Sequence, residues 1–441
     1  MIHITTAPLW QPEKRWLFDV IFRDRLATDY RITWSAETAG TTLNSPSGKK
    51  LTLPDDFFSR TPEGSPVRGW PLPERALTVE NPFRPGESLS GFYGNAYLHS
   101  VSDGWVCGLD LFASAFFMLS RWEEALPGAR DRHGRHPAAA AAAQRFGWLE
   151  KPLVEEYADF MGRALELEPT GGRVFQVHFS CDVDHPLLWW SPGARVRTLA
   201  GETLRHGLPG LTWWLKRNTS TDPYNVFGNW LSMLEKHALT GHFNFMGARP
   251  READAWYDLH HPFVRQIIQT LDARGHQIGF HPSYEGWNDP ERFVLERDSL
   301  EQLAGRPVRT GRQHYLRFSV PETWRVWADA GMDWDSTAGY PEAPGFRCGT
   351  CAPFQVYDFL ARHPLHLQEK PLIAMDITLA LALGMTPEQG RSTLYTLAES
   401  VRKYRGEMVI LWHNSSWNTY FWAPWQPVLR EFLEDFTRSI T

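Results

Sequence analysis

The sequence predicts an α/β protein: an incomplete (β/α) barrel of about seven strands over residues 169–441, preceded by a smaller α/β N-terminal domain over 1–168. Three observations carry this. Short apolar runs alternate with amphipathic stretches through the C-terminal two-thirds, as in a parallel sheet crossed by helices. A Glu-Pro-Thr-Gly-Gly-Arg run at 168–173 reads as a loop or linker. Ionisable residues recur where the apolar runs end, the edge at which barrels assemble their sites.

The barrel strands are expected at 174–179, 242–246, 277–279, 307–311, 332–336, 372–375 and 408–412. Between them, helices are expected at 263–273, 290–303, 321–330 and 387–404. In the first 168 residues, 16–22 and 30–34 read as short strands, and roughly 44–93 as Pro- and Gly-rich loops. Helices follow at 109–124, at 137–146 with Pro137 in the first turn, and at 152–167. The charged turn Arg130-Asp131-Arg132-His133-Gly134-Arg135 reads as solvated surface rather than a phosphate site, and this part shows no catalytic constellation.

Bulk composition narrows the partners. The chain has 441 residues, 42% hydrophobic and 22% charged, ordinary for a folded protein. A formal net charge of -6 argues against nucleic acid or an anionic membrane as the main partner. No apolar run reaches the roughly 18 residues of a membrane span, and the N-terminus lacks the apolar core of a secretion signal, so a cytoplasmic location is expected. Four cysteines are too few for a disulfide scaffold, and Cys348 and Cys351 read as reduced, partly buried thiols. The 21 tryptophans serve as core or as stacking faces for sugar rings.

Four strand ends carry chemistry. The first runs into Ser-Cys-Asp182-Val-Asp184-His. Of two carboxylates so spaced, one can bind a metal and the other can take a proton from an activated water. The second delivers His281, followed by Pro282; a neutral imidazole suits zinc, nickel, cobalt or iron. The third gives Arg312-Gln-His314-Tyr, where a guanidinium can orient a carboxylate. The last, Met-Val-Ile-Leu-Trp412-His413, places a histidine as a general acid.

With these residues in that order, the segment 174–420 resembles the polysaccharide deacetylases of carbohydrate esterase family 4. The whole chain, with its 109–124 and 130–144 segments, resembles bacterial proteins carrying an uncharacterised domain ahead of such a deacetylase. The resemblance implies Asp182 as catalytic base, Asp184 and His281 as metal ligands, Arg312 as the residue orienting the base, and His413 as catalytic acid. It implies a carboxylate steering His413, for which Asp335 and Asp376 both remain candidates. The family's second metal histidine would fall at Glu285, so either Glu285 ligates through oxygen or His314, the preferred replacement, completes the set. The implied cofactor is one divalent ion, of zinc type or Ni2+, Co2+ or Fe2+. The implied reaction is removal of an N-acyl group, most simply acetyl, from an amino sugar or saccharide, with a backbone N–H near the site steadying the oxyanion and Tyr315 and Trp412 able to bracket the ring. Hydrolysis of a small non-sugar amide on the same fold and a non-catalytic carbohydrate-binding protein are the alternatives.

Overall fold

The computed structural model describes residues 1–167, 173–216, 221–247, 254 and 257–437. Most of the expected linker, 168–172, lies outside the described residues.

The first part builds a six-stranded mixed sheet. Its strands are β1 (Ile2–Thr6), β2 (Tyr30–Trp34), β3 (Gly40–Asn44), β4 (Lys50–Pro54), β7 (Gly94–Val101) and β8 (Gly104–Leu109), in the order β2-β1-β3-β4-β8-β7. A separate hairpin pairs β5 (Leu77–Glu80) with β6 (Ser88–Gly91). The helices are α1 (Gln11–Phe18), α2 (Asp56–Arg60), α3 (Leu111–Ser120), α4 (Ala142–Arg145) and α5 (Leu153–Ala164).

Three expectations need correcting here. Residues 16–22 are not a strand but the end of α1 and the wider helical turn Asp19–Arg25 that continues it. A short apolar run fits a buried strand or a buried helix equally, and this one is enclosed on all sides. Trp16 stacks on Tyr357 at 4.8 Å and donates its indole N–H to the Gln355 carbonyl at 2.9 Å. The segment 44–93 is not mere loop, since β4, α2, β5 and β6 lie in it. The alanine run gives no continuous helix. A tight turn at Ala138–Ala140 precedes the four residues of α4, because the amides of Ala138 and Ala142 donate to Glu342 and Glu123 instead of to a helical ladder. Tertiary bonds override propensity.

The second part is a nine-stranded open sheet. Its strands are β9 (Gln176–Val183), β10 (His242–Phe245), β11 (Gln277–Phe280), β12 (Thr310–Gly311), β13 (Trp334–Asp335), β14 (Phe354–Asp358), β15 (His363–Glu369), β16 (Ala374–Met375) and β17 (Glu407–Leu411). They run in the order β14-β15-β13-β12-β11-β10-β9-β17-β16, all parallel except the β14/β15 pair. The seven anticipated strands are all present, and β14 and β15 extend the sheet beyond them. Crossovers are made by α6 (Pro192–Lys216) and α7 (Phe227–Lys236), α8 (Pro262–Ala273), α9 (Pro290–Ala304), α10 (Glu322–Asp329) and α11 (Pro387–Lys403); α12 (Gln426–Thr437) follows β17.

One contiguous apolar core runs through both sheets. Every residue of α3 is buried, as expected of a helix apolar all round. Buried ion pairs also cross between the parts. Arg347 holds both oxygens of Glu124, and Arg362 grips Glu13 through two bonds of 2.8 and 2.9 Å, while Arg25, paired with Glu155 at 3.2 Å within the first part, donates across to the Thr350 hydroxyl at 3.1 Å. Among the described residues no helix is long and apolar enough to cross a membrane.

Candidate active site

The carboxyl ends of the parallel strands open into a cleft of about 420 Å³. β9 runs four residues further than the sequence suggested, so Asp182 sits within the strand and Asp184 one residue past its end. Asp182 is buried. Its Oδ1 accepts from Arg312 Nη1 at 3.0 Å and from Asn244 Nδ2 at 2.6 Å. The absence of a side chain at Gly279 makes room for that amide, since a Cβ there would lie 2.0 Å from Asn244 Oδ1. Arg312 is itself locked, donating to the Ser336 carbonyl at 2.8 Å and to the Ser336 hydroxyl at 3.0 Å. Burial pushes the Asp182 carboxyl up, but Arg312, with His281 and His413 beside it, outweighs burial and holds it below the ordinary carboxylate value.

Beside Asp182, three groups converge. One ligand atom each from Asp184, His281 and His314 lies within 4.8 Å of the others. His281 Nδ1–H donates to the Arg312 carbonyl at 2.6 Å, so its Nε2 is the ring nitrogen that faces Asp184 Oδ1, 3.3 Å away. His314 repeats the arrangement, with Nδ1 on Asp254 Oδ1 at 3.3 Å and Nε2 3.8 Å from Asp184 Oδ1. That Asp184 oxygen is buried and, among the described residues, is approached only by the two imidazoles. Two imidazoles with pinned Nδ1 atoms, a bare carboxylate oxygen and a carboxylate at the back of one ring form a donor set that fits a zinc-type ion and its outer support. Burial opposes ionisation of Asp184, yet the neighbouring histidines bring its carboxyl far below the usual range.

His413 follows β17 on the other flank. Its Nδ1–H donates to Asp376 Oδ1 at 2.8 Å and its main-chain N–H to Asp376 Oδ2 at 2.8 Å. Its Nε2 reaches to 3.8 Å from Asp184 Oδ2. Burial disfavours the imidazolium, but Asp376 prevails and raises the pKa to about 9. Asp335 is not at this ring. It faces Glu369 on β15, accepts from the Thr337 hydroxyl and, by burial first, is raised to about 7.

Glu285 also stands apart from the donor set. Its side chain is 60% exposed and lies 3.8 Å from Arg317. Trp412 is core, its indole bonded to the Ser416 carbonyl, so of the two proposed ring brackets only Tyr315 lines the cleft. Cys181 packs in the core as a neutral thiol whose pKa burial pushes well up. Cys348 and Cys351 are likewise buried free thiols.

The turn 130–135 is the largest departure. Arg132, His133 and Arg135 line the cleft, while Arg132 and Gly134 remain exposed to solvent as the sequence reading expects. Asp131 folds the turn by accepting from the amides of His133 and Arg135, each at 2.9 Å. Arg317 Nε then donates to the His133 carbonyl at 3.1 Å, and Arg135 donates to the Tyr315 carbonyl. Arg132 Nε–H donates to His133 Nε2 at 3.0 Å, which leaves His133 Nδ1–H to donate to the Tyr284 hydroxyl at 3.0 Å. These contacts clamp Tyr315 and Leu316, two successive left-handed residues (φ 58° and 51°) that follow His314.

Sequence reasoning also passed over Asn244, Asp254 and Gln313. The strand-end criterion could have found Asn244, a polar residue in the Phe-Asn-Phe of β10. Gln313 lines the cleft with both carboxamide atoms buried and unpartnered among the described residues. Asp254 carries no local sequence mark.

Residues 2–168 match a family described only as of unknown function (DUF7033). No curated protein matches the chain. Among solved structures, the chain is similar to a Mycobacterium smegmatis protein assigned as a polysaccharide deacetylase, at 16% identity and TM-score 0.41, over 62% of this chain and 86% of that one. It is also similar to a polysaccharide deacetylase of Bacillus cereus (12%, TM-score 0.29, 60% and 88%). A third is the family 4 carbohydrate esterase of Streptomyces lividans (10%, TM-score 0.29, 60% and 90%). Likenesses this distant leave the chemistry to be read from the side chains of the cleft.

Proposed function

We propose that the protein is a metal-dependent hydrolase that removes an N-acyl group, most simply acetyl, from an amino sugar. One observation carries the reading: a carboxylate held ionised by arginine and a histidine held by a buried carboxylate flank one three-residue donor set in one cleft. Asp182 Oδ2 lies 3.9 Å from His281 Nε2, and His413 Nε2 lies 3.8 Å from Asp184 Oδ2.

Asp184, His281 and His314 would hold the ion, which when bound supplies Lewis acidity and lowers the pKa of water. Asp182 is the general base. Arg312 and Asn244 occupy its Oδ1 and leave Oδ2 to accept the proton of the attacking water. His413 is the general acid. With Nδ1 committed to Asp376, only Nε2 can deliver a proton to the departing amine. Gln313 offers a buried amide to a substrate carbonyl or hydroxyl, and Tyr315 offers an aromatic face for a sugar ring.

The test is acetate release from N-acetylated amino sugars by zinc-loaded and chelated protein, with a cyclic amide as comparison. Release that requires zinc and falls at least about 10²-fold in Asp182→Asn supports the reading. Opening of the cyclic amide without acetate release would keep the site and replace the substrate. Absence of bound metal after zinc is supplied in excess would leave a carbohydrate-binding protein.

A further inference from the structure

Among the described residues, α6 is a long element whose outer face is apolar and uncovered. Val196, Leu204, Leu208 and Leu215 are 70%, 87%, 72% and 66% exposed. They are ordered, not scattered. Before the bend at Gly207 (φ 61°, ψ -152°), Val196, the exposed Ala200 and Leu204 recur at every fourth residue and make one stripe. After it, Leu208, the half-exposed Leu211 and Leu215 recur at the i, i+3, i+7 spacing of one helix face.

The inner side is anchored. Trp214 is buried and packs on Trp189 at 5.8 Å. Asp222 accepts from the amides of Leu188 and Trp189 at 3.0 and 2.7 Å and fixes the approach to the helix. His206 lies 5.0 Å from the Tyr420 ring. The outward stripe is therefore a held surface of the folded chain.

Charge selects what would cover it. Residues 192–216 carry Arg195, Arg197, Arg205 and Lys216 against the single carboxylate Glu202, in a chain whose net charge is -6. Arg195 stacks over Trp189 at 4.8 Å, while Arg197, Arg205 and Lys216 are exposed beside the stripe. Aliphatic side chains bordered by cations, on a bent helix lying along the surface, match the interfacial zone of a bilayer with anionic headgroups.

We infer that α6 docks the protein on an anionic lipid surface, with Val196, Leu204, Leu208 and Leu215 entering the headgroup region and Arg197, Arg205 and Lys216 meeting the headgroup charges. The expectation from net charge alone, that an anionic membrane is no main partner, averages over this local reversal. Position agrees with the inference. β9 brings Asp182 and Asp184 to the cleft and α6 begins soon after it, while Tyr420 belongs to the segment that follows His413. Docking through α6 thus engages an element that adjoins, in the chain, the strand carrying Asp182 and Asp184 and, through Tyr420, the segment that follows His413, whether or not the hydrolase reading holds.

Co-sedimentation of the full chain with lipid vesicles tests this, using phosphatidylcholine alone and phosphatidylcholine mixed with phosphatidylglycerol. The wild type should pellet with the mixed vesicles, weakly with the neutral ones, and less as salt is raised. L204E/L208E should weaken that binding at least about 10-fold with an unchanged melting curve, since both positions are exposed. Equal binding by that variant, or no wild-type binding to the mixed vesicles, overturns the inference. So does a lipid-free dimer of the wild type that L204E/L208E converts to monomer, which would assign the stripe to a second copy of the chain.

Discussion

Asp376 holds His413 at two points, accepting the ring Nδ1–H on one oxygen and the main-chain N–H on the other, both at 2.8 Å. A carboxylate bonded in this way fixes the tautomer as well as the rotation of the ring. Asp376→Asn would keep the shape but present an amide N–H to one of two donors. The expected result is a fall in kcat of at least about 10²-fold with little change in KM, as for loss of a general acid. Asp335→Asn is the control, because Asp335 bonds Thr337 and faces Glu369 instead of His413. Its kcat should stay within about 10-fold. Equal losses in the two variants would detach the acid role from the Asp376 contact.

Metal retention separates the two ligand sets considered from sequence. Asp184→Ala, His281→Ala and His314→Ala each remove one of the converging donors and should lose the ion in an elemental assay. Glu285→Ala should keep it, since that side chain is 60% exposed and turned to Arg317. An ion that survives His314→Ala and leaves with Glu285→Ala would reverse the assignment.

Asp254 should matter without touching the ion. Its Oδ1 accepts from His314 Nδ1 at 3.3 Å and from the Tyr284 amide at 2.6 Å. Asp254→Asn should weaken zinc affinity by about 10- to 100-fold, the usual cost of losing an outer carboxylate, while the melting temperature of the metal-free protein stays close to wild type. Unchanged affinity in a competition titration would reduce Asp254 to a loop brace.

The sequence made legible what periodicity and strand ends encode. β9, β10, β11 and β17 are almost wholly buried, and each delivers a polar group at or just past its cleft end: Asp182, Asn244, His281 and His413. β15 is hard to read because only Leu365 and Leu367 among its buried positions are apolar, and with His363, Pro364, His366 and Gln368 around them His-Pro-Leu-His-Leu-Gln-Glu looks like loop. Residues 16–22 mislead because all but the half-buried Asp19 are buried and apolar, so the run shows no polar face. The turn 130–135 reads as surface from its own residues, since what makes it a wall of the cleft is Tyr284, Tyr315 and Arg317, more than 150 residues away. His314 and Glu285 could be ranked but not separated, because spacing along the chain does not say which side chain turns inward.

Acid stability offers a readout independent of function. His136 is buried near Glu124, Arg121 and Arg347; burial first, then the two guanidiniums, outweigh Glu124 and lower its pKa from 6.5 to about 4. The folded protein therefore resists a proton that the unfolded chain accepts near pH 6.5. This contribution is complete above pH 6.5 and is lost as the pH falls towards 4, by up to about 3 kcal/mol over the interval. His136→Gln cannot titrate. In urea melts at pH 7.5 and pH 5, the wild type should lose more stability than the variant, the difference at pH 5 being on the order of 1–2 kcal/mol. Parallel losses in the two proteins would place the acid sensitivity elsewhere, in carboxylates such as Glu124 that arginines hold ionised.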